Sequence, residues 1–185
     1  MKRWAVIAAL ALVLVSGASA TESTIYPGVG IGMVKLGMTL RQVKKALGSP
    51  QLVDTRAQLS GRRGYAEYGW NFSTLWVGFV NTRGRLHAVL IGTDLRAQRT
   101  TDGVGVGTTL ETLRHRYRVT CNVGPNADAR FVGQPLFEPA MRIAGWCVLG
   151  PSATPTTIFR MGCPSRGPSC GRFHVVVVIV RKSSF

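Results

Sequence analysis

Acidic residues are scarce in this 185-residue chain: eight Asp and Glu stand against 23 Lys and Arg, giving a formal charge of +15. No two of those acids, Glu22, Asp54, Glu67, Asp94, Asp102, Glu111, Asp128 and Glu138, have a spacing that pairs them on one element. The two-carboxylate arrangement of glycoside hydrolysis therefore has no support. Cysteine is missing from the first 120 residues, and no Cys-x-x-Cys occurs anywhere. That removes the usual zinc-ribbon and dithiol redox patterns. The three histidines, His87, His115 and His174, are far apart. They read as strand and helix residues and not as a metal set. Gly-x-Ser-x-Gly and His-Glu-x-x-His are also absent, and with them the commonest hydrolase signatures.

Long apolar runs are missing too. The stretches Trp4 to Val15 and Phe173 to Val180 both fall short of the roughly 18 to 20 residues that span a bilayer. The first follows Lys2 and Arg3 and leads to Ala18-Ser19-Ala20. Basic start, apolar middle and small-residue end describe a signal peptide over residues 1–20, cleaved near Ala20. No cysteine stands at the cleavage point to carry a lipid. The expected product is an exported, soluble chain of 165 residues, extracellular or periplasmic, with a charge of +13 once Lys2 and Arg3 are removed. A chain this basic is attracted to acidic surfaces and polymers. Its arginines, however, are spread along the whole sequence, with no run longer than a pair.

What is present is a sequence that repeats itself. Leu36-Gly37-Met38-Thr39 precedes apolar residues at Leu40, Val43 and Leu47, a helical spacing that predicts a helix over 40–47. Thr39 with Gln42 fits a capping box, and Gly48 followed by Pro50 ends the segment. Seventy residues on, Gly107-Thr108-Thr109 leads to Leu110, Leu113 and Tyr117. The glycine-rich stretches before the two helices, Gly28 to Gly32 and Gly103 to Gly107, lack the phosphate-loop lysine spacing. They read as backbone turns that dock the helices. After the first helix, alternating residues predict strands over 62–70, 74–80 and 85–91, and after the second over 140–149, 156–161 and 172–181. Trp70 answers Trp146, and Phe79 answers Phe159.

The expected fold is α+β: two tandem helix-plus-three-strand units, residues 21–100 and 101–185, forming one antiparallel sheet with both helices on one face. One such unit buries little alone, and the second copy supplies the missing cover. Four cysteines in an exported chain predict two disulfides among three possible connectivities. Cys163 and Cys170 bound a loop where the first copy has the short turn Asn81 to Gly84, which favours their pairing. Cys121 then pairs with Cys147, tying the second helix to its sheet.

The segment "VKLGMTLRQVKKALGSP", with the strands around Trp70 and Phe79, resembles the SmpA/OmlA (BamE-like) unit. That unit opens with a glycine and a small capping residue and closes with Leu-Gly-x-Pro; the second copy here lacks the closing motif. The tandem arrangement is similar to beta-lactamase inhibitory protein. The resemblance implies a non-catalytic scaffold that binds another protein with an open sheet face. The residues themselves add Tyr65, Tyr68, Trp76, Arg62 and Arg63 as candidate contacts, because Tyr, Trp and Arg dominate protein interfaces. Alternation sets Trp76 opposite Leu75, Val77 and Phe79, so one of those sets is expected to be exposed, while Trp70 and Trp146 are expected in the core. The functional expectation is a secreted, monomeric protein-binding scaffold, an inhibitor of an extracellular or envelope enzyme, with neither catalytic site nor cofactor. The alternative is a basic protein that binds an acidic envelope polymer; an enzyme of unknown class comes third.

Overall fold

The apolar spacing after Thr39 does build a helix, α1 (Leu40–Leu47). The computed structural model describes residues 24–55, 64–71, 74–124, 143–150, 156–162 and 173–182. Thr39 caps α1 through a complete capping box: its hydroxyl accepts from Gln42 N, and Gln42 Oε1 accepts from Thr39 N at 2.8 Å. Val43 on the inner stripe is fully buried, which contributes roughly 1.5–3 kcal/mol. The second helix, α2 (Leu110–Arg116), is capped by Thr109 and buries Leu113 in the same way.

The strands are more numerous than the sequence pattern suggests. Before α1 lies a small antiparallel sheet, β1 (Ile25–Tyr26), β2 (Gly30–Ile31) and β3 (Val34–Lys35). Four strands follow α1: β4 (Leu52–Asp54), β5 (Tyr65–Trp70), β6 (Leu75–Thr82) and β7 (Arg85–Thr93). Another four follow α2: β8 (Val119–Val123), β9 (Ile143–Leu149), β10 (Thr156–Gly162) and β11 (His174–Arg181). All eight join one sheet in the order β4-β5-β6-β7-β11-β10-β9-β8, with every pairing antiparallel. The last strands of the two halves meet at its centre, where Val178 opposes Thr93 and Arg181 opposes Leu90.

This corrects the expected fold. The described residues are mostly β, an eight-stranded sheet with a separate three-stranded one and two short helices, and not two tandem helix-plus-three-strand units. The outer strands β4 and β8 escaped the reading for different reasons. Leu52-Val53-Asp54 is too short to show alternation. Val119-Thr120-Cys121-Asn122-Val123 does alternate, but it follows α2 so closely that it passes for a connector. The small sheet is built of two-residue strands among glycines, which in sequence look like turns.

Both helices and the small sheet pack on one face of the large sheet. The cluster there joins Ile25, Ile31, Val34, Val43 and Leu113 to Tyr68, Trp70, Phe79, Phe159 and Val178. Trp70 Nε1 donates to the Gly48 carbonyl at 3.1 Å, tying β5 to the end of α1. Tyr117 stacks on Phe159 with ring centroids 6.2 Å apart. The helix starts are held alike: Gly37 N donates to Ala88 O, and Gly107 N donates to Val175 O, both at 2.7 Å.

Candidate functional site

The five candidate contact residues are not brought together. Arg62 and Arg63 lie outside the described residues. Tyr65 and Tyr68 leave β5 on opposite faces, and both are buried. Tyr68 belongs to the core under the helices, where its ring meets Phe79 edge-on at 5.3 Å. Trp76 is also buried, and so are Leu75, Val77 and Phe79 on the other face of β6. The alternation on β6 is real, but neither set is exposed. Trp70 and Trp146, matched in the sequence, lie on opposite faces of the sheet, Trp70 buried and Trp146 half-buried.

The face away from the helices carries a second cluster that includes Tyr65, Trp76, Leu90, Ile158, Val177 and Ile179, with Trp146 packed against it. Among the described residues this cluster draws on the strands alone. Two glycines make room for its aromatic rings: a side chain on Gly78 would collide with Tyr65, and one on Gly92 with Trp76. Polar groups share this region. Tyr65 donates its hydroxyl proton to Glu67 Oε1 at 2.5 Å, and Glu67 is buried. Burial, then the charge and hydrogen bond of Glu67, push the Tyr65 phenol far above its usual range. Burial pushes the Arg160 guanidinium down to about 10.

Cys121 and Cys147 form the expected disulfide, but it does a different job. The two residues are register partners on neighbouring strands, with Cα atoms 4.0 Å apart. The bridge therefore fastens edge strand β8 to β9 and does not tie a helix to the sheet. Cys163 and Cys170 lie outside the described residues. His87 and His174 also acquire a definite role. The Nδ1 of His87 stands 3.1 Å from the Gly37 carbonyl, and that of His174 stands 3.4 Å from the Gly107 carbonyl. Each ring holds the backbone just before a helix. Among the described residues no group of three His, Cys, Asp or Glu could hold a metal ion, and no helix is long and apolar enough to cross a membrane.

Exposed apolar surface lies elsewhere. Tyr26, Val29 and Met33 are 39%, 49% and 42% exposed, and all three sit on the small sheet or its turns. Their neighbours Ile25, Ile31 and Val34 point inward and are almost fully buried. Gly28 N donates to Thr157 Oγ1 at 2.9 Å, which fixes the first turn against β10. The sheet thus presents Tyr26, Val29 and Met33 on a supported backbone. Sequence reading missed this surface because Gly28 to Gly32 looked like a docking turn; the recurrence of large apolar residues among and beside its glycines was the available signal. Leu52 and Val53 on edge strand β4 are the other exposed large apolar residues among those described.

A groove opens beside α1. Its walls are the first turn of the helix, Thr39 to Gln42, and Gly84-Arg85-Leu86 of the β6–β7 hairpin, and it encloses about 630 Å³. A second hollow of about 530 Å³, lined by Thr82, Arg83, Arg85 and His87, shares Arg85 with it.

No family model matches the chain, and no curated protein matches it. Among solved structures it is similar to the crystal structure of the uncharacterized protein yfeY from Escherichia coli, with a TM-score of 0.50 and 13% identity. That match covers 88% of this chain and 100% of the other. At that identity the likeness concerns the fold alone.

Proposed function

We propose that the chain is an exported, non-catalytic protein-binding module whose contact surface is the small sheet β1–β3. The observation that carries this reading is the exposure of Tyr26, Val29 and Met33 within one eight-residue stretch in which Ile31, like the flanking Ile25 and Val34, is buried. Tyrosine and methionine are enriched at protein interfaces. A side chain on a backbone that is already fixed loses less entropy when a partner docks. The signal-peptide pattern of residues 1–20 and the resemblance of residues 34–50 to the SmpA/OmlA unit support the same reading.

The test is a pull-down from the producing cell's envelope and culture fluid, eluted in steps of salt. A protein retained at high salt by the parent chain, and lost with Tyr26→Ser/Val29→Ser/Met33→Gln, is the expected result. Equal capture by parent and variant would overturn the assignment of the surface. Elution of all bound material at moderate salt, with an acidic polymer as the main ligand, would replace this reading by the polymer-binding one. That second reading draws on the excess of 23 basic over eight acidic residues.

A further inference from the structure

We propose that the groove between the first turn of α1 and the β6–β7 hairpin binds a phosphoryl group, held by Arg41, Arg83 and Arg85. All three arginines line the groove or the hollow joined to it, and neither lining contains an Asp or Glu. All three are exposed. None of their side chains makes a hydrogen bond or ion pair with another described residue, and none belongs to the residues with further partners. Arg41 and Arg85 share the groove, and Arg83 and Arg85 share the adjoining hollow; positive charge gathered there without a carboxylate favours a bound anion. Guanidinium forks match phosphate oxygens two at a time, and a multiply charged phosphoryl group suits three of them better than a single carboxylate does.

A second observation is independent of charge. Thr82 opposes Arg85, so Arg83 and Gly84 form a two-residue hairpin turn. Arg83 has φ 55° and Gly84 φ 78°. That turn favours Asn-Gly, because its first residue must adopt a left-handed conformation. An arginine there is a poor choice for the fold and places a cation at the rim of the groove; an observed backbone outlier of this kind points toward function. At the helix start Thr39 N and Gln42 N are taken by the capping box, so the arginine side chains are the charged donors at this groove. The first turn of α1 carries no acid to oppose an anion, whereas α2 has Glu111 at that place.

The phosphoryl group has two chemical sources, a soluble phosphate ester or polymer and a lipid headgroup, and two probes separate them. Sodium tripolyphosphate is titrated calorimetrically into the purified protein at about physiological ionic strength, where long-range attraction between exposed charges is largely screened. In parallel, flotation is measured with phosphatidylcholine vesicles with and without phosphatidic acid. The variants are Arg41→Ser/Arg83→Asn/Arg85→Ser and, as a control of equal charge, Arg114→Ser/Arg116→Ser/Arg118→Ser. Arg83→Asn alone should melt no lower than the parent, since asparagine suits the turn, and this keeps one groove variant folded. The expected result is at least about tenfold weaker binding of one or both probes by the groove variants, roughly the loss of one charged contact, with less than about a twofold change in the control, whose charges are screened from the groove. Binding of tripolyphosphate alone identifies a soluble source, and selective flotation identifies a headgroup. Equal weakening in groove and control variants, or no binding of either probe, overturns the proposal. The site is separate from β1–β3, so its failure leaves the protein-binding reading intact.

Discussion

Trp76 on β6 covers Gly92 on β7, its register partner across the sheet, so closely that a methyl group on Gly92 would overlap the indole ring. Gly78 gives Tyr65 the same room one strand pair away. Gly92→Ala and Gly78→Ala are each expected to cost about 1–3 kcal/mol through overpacking. Urea denaturation followed by tryptophan fluorescence measures this, and an unchanged midpoint would show that the rings are free to move aside.

Tyr65 and Glu67 make stability depend on pH in the alkaline range. The phenol is held neutral in the fold, by burial first and then by Glu67, so its folded pKa lies well above the unfolded value near 10. Its contribution is fully present below about pH 10 and declines as pH rises further, because the unfolded phenol then ionises while the folded one keeps its proton. Tyr65→Phe is expected to be less stable than the parent at neutral pH by roughly 1–3 kcal/mol, since Glu67 loses the Tyr65 hydroxyl as a donor while keeping its other partner. The difference should shrink above pH 10. A difference that stays constant to pH 12 would contradict the assignment.

The disulfide should matter most at one edge of the sheet. Cys121→Ser/Cys147→Ser removes a crosslink between residues 26 apart, worth roughly 2–4 kcal/mol by the loop-length relation. Hydrogen exchange should accelerate in residues 119–123 well before it changes in β6 and β7. Uniform acceleration would mean that the bridge stabilises the fold as a whole.

The two helix starts offer a local comparison. Thr39 caps α1 with Gln42 returning to Thr39 N, whereas Thr109 caps α2 by its hydroxyl alone, accepting from Thr112 N at 3.1 Å. Thr39→Ala and Thr109→Ala should each cost about 1 kcal/mol. The Thr39 variant should lose less, because Gln42 Oε1 still accepts from the backbone N of residue 39 after the hydroxyl is gone. Equal thermal shifts would remove the distinction between the caps.

The helices and six of the strands were legible because each has a period that only one backbone geometry satisfies. Leu40, Val43 and Leu47 read as a helix, and Leu75, Val77 and Phe79 alternate with Trp76 as a strand must. Edge strand β4 and the small sheet were not legible, because two or three residues cannot display a period, and β8 was not, because it follows α2 so closely that it passes for a connector. The burial of Tyr65, Tyr68 and Trp76 was not legible for a related reason. Tyr65, Tyr68 and Trp76 have interface chemistry, but residue type does not say whether a ring meets solvent or a glycine on the next strand.

Local physics, then, is what the order of residues determined alone: the caps at Thr39 and Thr109, the inward stripe of each helix, the turn at Arg83-Gly84 and the two faces of each strand. These depend on neighbours within a few positions, and a linear sequence carries that information directly. Which strand lies beside which, and therefore the join of β7 to β11, the bridging of β8 to β9 by Cys121 and Cys147, and the lining of one groove by Arg41 and Arg85, was decided only by the tertiary structure. Those contacts link residues tens of positions apart, and their geometry comes from the closing of the whole sheet.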